Sequence, residues 1–303
     1  MTALPIDDAA EAPAESAARP WALSPSRAAD FMSCPLLYRF RVIDRLPEPP
    51  SPVATRGTLV HAVLERLFDA PAADRTIERA AQSLEPQWRR LLDERPELAQ
   101  LFPSTDDGSL REWLASARRL LETYFALEDP RRIEPAQREL LVEAELDGGA
   151  AGIRLRGFVD RVDVAADGRI RIVDYKTGNA PSELFEDKAL FQLKFYALVM
   201  WRVTGTIPSL LQLIYLGDGQ LLRYQPDAAD LEATERKVRA LWDAIERGLA
   251  NQHFPARPSR LCEWCAHQSI CPAFGGTPPP YPQPTGQAAV APLDEPDWLD
   301  DAL

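Results

Sequence analysis

Two acids and a lysine near the middle of the chain have the types and spacing that phosphodiester hydrolysis needs. In Ile172-Val173-Asp174-Tyr175-Lys176-Thr177-Gly178 an apolar run ends in an acid and a lysine two residues apart. If the run is a strand, its period of two puts Asp174 and Lys176 on one face and Tyr175 on the other. The run before it contains Gly157-Phe158-Val159-Asp160, and Ala166-Asp167-Gly168 lies between the two. A three-residue hairpin loop with Gly168 left-handed pairs Ala165 with Arg169 and brings Asp160 opposite Asp174. Like charges about 5 Å apart destabilise a sheet unless a cation sits between them. Oxygen ligands suit Mg²⁺ or Mn²⁺. Such an ion polarises a phosphodiester and lowers the pKa of a bound water, which the lysine positions or deprotonates. The same residues are also compatible with a hairpin carrying ordinary surface charges. Asp163, out of phase, is expected to face away beside Arg161 and Arg171 as a surface ion pair worth little. Glu143 and Glu145 share a face of the first strand and are expected in solvent rather than at the ion.

A second set of residues with chemistry is the four cysteines. Cys262-Glu263-Trp264-Cys265 and Cys271-Pro272 give Cys-x₂-Cys-x₅-Cys, with Cys34 more than two hundred residues upstream. In a reducing compartment such thiols are metal ligands or reactive groups rather than disulfides. Four thiolates complete either a zinc site or a cubane cluster. Zinc sites more often show two Cys-x-x-Cys knuckles, and Cys34 has no second cysteine near it in sequence, so the asymmetry leans towards iron–sulfur with zinc left open. Either would clamp the first helix to the C-terminal segment by closing a very long loop. His253, His267 and Trp264 flank the motif and are assigned no chemistry.

These groups must be positioned by secondary structure that the sequence also outlines. Ser24 followed by Pro25 marks a helix start, and the helix is expected to run to about Cys34. A second covers about 56–68. Segments 75–94 and 109–127 have helical periodicity, with Pro86 expected to kink or split the first. Residues 139–146, 152–164 and 169–176 alternate as strands, joined by turns at Asp147-Gly148-Gly149 and Ala166-Asp167-Gly168. A helix at about 184–203, strands near 210–216 and 220–225, and a helix at about 227–249 complete the order. This predicts an α/β sandwich around one mixed sheet.

With 303 residues and 46% hydrophobic content the chain can bury a proper core. No apolar run approaches the roughly 18 residues of a membrane span, and the first residues are acidic where a secretory signal is basic, so a cytoplasmic location is expected. The net charge is −12, which at first sight argues against a polyanionic partner, but its distribution leaves charge alone inconclusive. Residues 1–19 contribute −3 and residues 275–303 contribute −5, leaving −4 of that −12 for the remainder. Both tails are expected to be disordered, the second acidic and proline-rich. Six arginines at 20, 27, 39, 41, 45 and 56 face only Asp30, Asp44 and Glu48 in that stretch. Arg27, Arg39 and Arg41, with Tyr38 and Phe40 interleaved, could line a channel for a single strand. No Gly-x₄-Gly-Lys-Ser/Thr loop is present, so any helicase must be a separate partner.

Gly157-Phe158-Val159-Asp160-Arg161-Val162-Asp163 followed by Asp174-Tyr175-Lys176 resembles the Gly-x-x-Asp and Asp-Tyr-Lys motifs of RecB-type PD-(D/E)XK nucleases. Gly57-Thr58-Leu59-Val60-His61-Ala62-Val63-Leu64-Glu65 is similar to that family's histidine helix, and Gln192-Leu193-Lys194-Phe195-Tyr196 to its Gln-x-x-x-Tyr helix. The resemblance spans about 22–274. It implies a restriction-endonuclease-like core, a central mixed β-sheet flanked by helices with a helical N-terminal part. The nuclease domain would cover 20–274, with a helical insertion at about 70–130. Asp160 and Asp174 would bind metal, with the Tyr175 backbone as a further ligand, and His61 would ligate or orient it. Lys176 would handle the water, and Gln192 and Tyr196, four apart on one helix face, would position lysine and substrate. Taken singly, His61 could be structural and held by Glu65, and Gln192 and Tyr196 an ordinary helix flank. The cysteine pattern resembles the iron–sulfur branch of the family, including AddB-type and CRISPR-adaptation nucleases. There Cys34, Cys262, Cys265 and Cys271 would hold a [4Fe-4S] staple, with 254–274 as the cluster-binding segment. The expected activity is Mg²⁺- or Mn²⁺-dependent hydrolysis of DNA, by a single-strand exonuclease of repair or recombination. A CRISPR spacer-processing nuclease and a non-catalytic DNA-binding scaffold are the alternatives.

Overall fold

The computed structural model of the chain describes residues 22–103, 107–148, 152–181 and 186–282. The expected tail at 1–19, residues 283–303 of the expected tail at 275–303, and part of the turn at Asp147-Gly148-Gly149 lie outside these.

Helix α1, Pro25–Ser33, starts as the sequence predicts: Ser24 Oγ accepts the Arg27 N–H, and Pro25 fills the first turn, where no donor is needed. Cys34 adopts extended backbone and separates α1 from α2, Pro35–Tyr38, which widens into a π-helical turn over Arg39–Ile43. Helix α3, Pro52–Leu67, begins four residues before the expected start because Ser51-Pro52 repeats the cap of α1. Helix α4, Ile77–Glu94, runs through Pro86, so the expected split does not occur. Pro86 lies on the exposed side of the helix, where the Gln82 carbonyl that loses its helical donor can be met by solvent. Helix α5 spans Asp107–Leu127.

Strands β1 (Ala22–Leu23), β2 (Gln137–Leu146), β3 (Ile153–Val164), β4 (Ile170–Lys176), β5 (Leu210–Tyr215) and β6 (Gln220–Tyr224) form one mixed sheet. Antiparallel β2 covers one edge of β3. The other edge is shared by β4 near its end and by parallel β1 near its start. Helix α6, Glu186–Thr204, carries the crossover from β4 to parallel β5, and β6 returns antiparallel. Helix α7, Ala228–Asn251, closes the domain with an Asp227/Asp230 capping box. Leu193, Phe195, Leu198, Val238 and Ile245 of α6 and α7 pack on one sheet face with Ile172 and Leu211. Leu59, Val63, Leu84, Trp88 and Leu121 of α3, α4 and α5 pack on the other with Val173 and Ile214. The α/β architecture with a central mixed sheet flanked by helices is thus present, and both helical layers meet at the end of β4.

The segments near the two ends of the described chain are joined by aromatic and ionic contacts. Tyr38 stacks on Phe254, and Phe254 on Tyr281. Buried Arg39 pairs with Asp44 and donates to the Pro279 carbonyl. Arg41 bridges Asp30 and Glu48, and Glu48 meets buried His267 at 2.8 Å. Tyr38 and Phe40 are therefore core residues, 1% and 2% exposed, and not the stacking surface expected of them. Packing also extends past residue 274, as far as Tyr281. Burial opposes the charge of Glu48, yet hydrogen bonds from His267 and Arg41 outweigh it and the carboxyl falls to about 2. A depressed folded pKa gives stability that is complete above the ordinary value of 4.5 and lost as pH falls towards about 2. The melting temperature should therefore drop more steeply through that window in the wild type than in Glu48→Gln, and equal slopes in a pH series of thermal melts would exclude this role.

Candidate active site

The hairpin between β3 and β4 closes through the three-residue loop. Ala165 N–H donates to the Arg169 carbonyl at 2.9 Å, and Gly168 has φ +84°. The ladder then runs Val164↔Ile170 to Arg161↔Val173 and stops. The next pair in that register is Asp160 and Asp174, so the two acids lie where β3 and β4 part. Having no β3 carbonyl to meet, the Tyr175 N–H donates instead to Asp160 Oδ2 at 2.7 Å, which satisfies a buried donor. Asp160 and Asp174 are both buried.

The pleat also changes phase here. Val159 and Val162, three apart, both face the α6/α7 core. Arg161 turns to the other face, towards Tyr124 and Tyr175. On β2 the partner position is Glu139, whose φ of +43° is left-handed. Between Arg138↔Arg161 and Leu140↔Val159, register places Glu139 opposite Asp160. A non-glycine residue in that region is strained and persists where the surroundings fix it.

Helix α3 delivers the third group. Gly57 lets it lie close to the end of β4: a Cβ there would sit 3.3 Å from Thr177 Oγ1. One turn on, buried His61 places Nδ1 3.4 Å from Asp160 Oδ2, with its ring edge-on to Tyr175. Ligand atoms of His61, Glu139 and Asp160 all lie within 4.8 Å of one another. An imidazole and two carboxylates at that spacing fit a divalent cation in both charge and donor type. Asp174 is outside this group: its Oδ2 is 3.1 Å from Lys176 Nζ. Lys176 donates to Gln192 Oε1 at 2.6 Å, and Gln192 Nε2 to the Tyr196 hydroxyl at 3.1 Å. Two sets thus meet at the parting of the strands, the donor group His61–Glu139–Asp160 and the chain Asp174–Lys176–Gln192–Tyr196. Tyr175 joins them through its backbone.

This arrangement coincides with what similarity indicates. The profile of the PD-(D/E)XK nuclease superfamily matches residues 22–272. The chain belongs to this superfamily. It is also similar to the Gene 69 protein of Mycobacterium phage D29, 26% identical over 274 residues, covering 83% of this chain and 96% of the phage protein. The Gene 69 protein of Mycobacterium phage L5 is 25% identical over 286 residues, with the same coverage. Among solved structures, a candidate exonuclease from Eubacterium rectale superposes with a TM-score of 0.51 at 14% identity, covering 81% of this chain and 87% of that one. It shares the fold. Nucleases of this superfamily use divalent metals, in keeping with the donor group here.

Glu139 was not foreseen from this nuclease's sequence. The alternation that placed Glu143 and Glu145 on one face of β2 says nothing of a residue that breaks it. Glu143 is indeed exposed, near Arg154 and Arg156. The only trace of Glu139 in the sequence is its register partner, Asp160. Asp163 does meet Arg161 and Arg171 at the partly exposed edge, but the pair extends inward into a network around buried Arg161. Arg161, 1% exposed, holds Glu128 at 2.8 Å, Asp163 at 3.2 Å and the Tyr175 hydroxyl at 2.5 Å. Burial works against its charge, but the facing Tyr175, Glu128 and Asp163 raise its pKa well above normal. Burial likewise pushes the Tyr175 phenol far up. Long sequence separation hides Glu128, which caps the end of α5, from any local reading.

The four cysteines are all partly exposed and line one cavity of about 930 Å³ between α1, α2 and the C-terminal segment. They do not close into a compact group that a single ion would fill, so the expected four-thiolate staple is not formed as such among the described residues. Two of them accept backbone hydrogen bonds, Cys34 from Arg257 at 3.4 Å and Cys262 from Ser259 at 3.3 Å. No helix among the described residues is long and apolar enough to cross a membrane.

Removing one member of a buried ion pair strands the other, at a cost of about 3–5 kcal/mol. Arg161→Met should therefore lower the unfolding free energy by about that much in urea titrations, whereas a loss below about 1 kcal/mol would show that Glu128 and Asp163 do not depend on it.

Proposed function

We propose that this nuclease hydrolyses DNA phosphodiesters with Mn²⁺ or Mg²⁺ and acts on single strands from an end. The observation that carries the reading is the meeting of a buried imidazole–carboxylate donor group with an ammonium held beside it at the parting of β3 and β4. His61, Glu139 and Asp160 would hold the ion, and the imidazole favours Mn²⁺ over Mg²⁺. Bound there, it supplies charge stabilisation for the phosphoryl oxygens and a water of lowered pKa. The chain's own groups do the rest. Tyr175 N–H and His61 fix the Asp160 carboxylate so that little reorganisation is needed. Asp174 and Gln192 hold Lys176 Nζ from two sides, and Tyr196 fixes the Gln192 amide. Held there, Lys176 would orient the attacking water or neutralise charge on the scissile phosphate. The exonuclease preference draws support from the resemblance and from the description of the Eubacterium rectale protein as a candidate exonuclease; the role in repair or recombination rests on the resemblance alone.

End-labelled single- and double-stranded DNA incubated with Mn²⁺ should release nucleotides, and Asp174→Ala should slow release about a hundredfold or more. Glu139→Gln should shift the Mn²⁺ dependence to higher concentration. A wild-type protein inactive on every DNA substrate, or an Asp174→Ala variant as active as wild type, sinks the assignment.

We also propose that Cys34, Cys262, Cys265 and Cys271 bind a [4Fe-4S] cluster that staples α1 to the C-terminal segment. The support is the cavity that all four line, together with a cysteine spacing in sequence that resembles a cluster-binding pattern. Backbone N–H groups already aimed at Cys34 and Cys262 suit thiolate ligands. Protein purified without oxygen should be brown and contain iron and sulfide in equal amounts, and Cys34→Ser should lose both; a colourless zinc protein refutes the cluster.

A further inference from the structure

The same cavity reaches beyond the cysteines to Lys176 and Gln192, so one continuous hollow joins the catalytic lysine to the C-terminal segment. Three features of its wall are unusual. Six large hydrophobic side chains are exposed among the described residues, and three of them, Leu261, Trp264 and Phe274, line this hollow. Trp264 is 66% exposed. Exposed aromatic surface gathered at one cavity marks a binding site rather than chance. The charge of the wall is also opposite to that of the chain. Its described lining has four cations, Arg41, Lys176, Arg257 and Arg260, against one carboxylate, Asp30, although the chain as a whole carries −12. Finally, of the residues expected to form a strand channel, Tyr38, Arg39 and Phe40 are buried, while Arg41 remains partly exposed on this wall, so the expected rings cannot stack on bases and the exposed aromatics here must.

We infer that this hollow is the groove for a single-stranded polynucleotide, with Trp264 and Phe274 as stacking platforms for its bases and Arg257 and Arg260 beside its phosphates. Stacking on an aromatic ring requires a base whose face is free, which a duplex does not offer. The occupant is therefore one strand, which the cations draw in electrostatically. Trp264 lies between Cys262 and Cys265, so a staple through those cysteines also fixes the platform in relation to Lys176. This inference rests on the nuclease reading for the direction of the strand, towards Lys176, but its test does not require cleavage.

Binding is measured by fluorescence anisotropy with labelled oligothymidylate and oligouridylate of twelve nucleotides and with a duplex of the same length, at fixed salt and in EDTA. Trp264→Leu keeps apolar bulk and removes the ring; it should bind at least one of the single strands about tenfold more weakly, with duplex binding unchanged. Trp264→Phe should restore most of the affinity. Phe274→Leu, which lies outside the cysteine triplet, should show a loss in the same direction and guards against an effect on folding, as do equal thermal melts. Affinities of Trp264→Leu and Phe274→Leu both within about twofold of wild type overturn the inference. A wild-type protein that binds the strand in this ring-dependent way yet cleaves no DNA overturns the nuclease reading and upholds this one.

Discussion

The site depends on the place where β3 and β4 stop pairing. Up to Arg161↔Val173 the two strands satisfy each other's backbone, and one step later they part. At that step the Tyr175 N–H needs an acceptor, and the Asp160 carboxylate provides it. A single backbone hydrogen bond thus does two things: it ends the ladder without leaving a buried donor unmet, and it fixes the orientation of an acid that faces His61 and Glu139. Were the ladder one pair longer, Asp160 would be a cross-strand neighbour of Asp174 within a regular sheet. The donor group would not form.

The reverse face of this junction is unusually polar for a protein interior. Arg161, Glu128, Asp163 and Arg171 form a charge-balanced network, joined by Gln212 and by the hydroxyls of Tyr124 and Tyr175. Tyr175 is held at both ends, its hydroxyl by Arg161 and its backbone by Asp160. Such a network is costly to assemble and specific in geometry, because each member satisfies several others. Its effect is to pin the end of β4, and with it the spacing between Asp174 and Lys176 on one side and Asp160 on the other.

The ends of the described chain contribute a third constraint. Aromatic stacking of Tyr38, Phe254 and Tyr281, with the Arg41–Glu48–His267 relay, holds the C-terminal segment against α1 and α2. This creates the hollow next to Lys176, and the same contacts take Tyr38, Arg39 and Phe40 out of solvent. Arg39 of the basic N-terminal stretch therefore became structure, while Arg41, paired with Asp30 and Glu48, still borders the hollow.

The sequence by itself determined most elements and the motifs that meet at the candidate site, because the information is local. Ser24-Pro25 and Ser51-Pro52 specify helix starts, alternation specifies strands, and Ala166-Asp167-Gly168 specifies a turn whose register brings Asp160 and Asp174 level. The i,i+4 spacing of Gln192 and Tyr196 likewise fixes that they share a helix face. What only the tertiary structure decided are the partners that lie far apart in sequence. Glu139 joins His61 and Asp160 through a left-handed kink that no periodicity announces, and Glu128 becomes the counter-ion of Arg161 because α5 ends above β3. Burial of Arg161 and exposure of Trp264 were also decided there, since solvent access depends on which segments pack over a residue, and chain-local patterns carry no record of that.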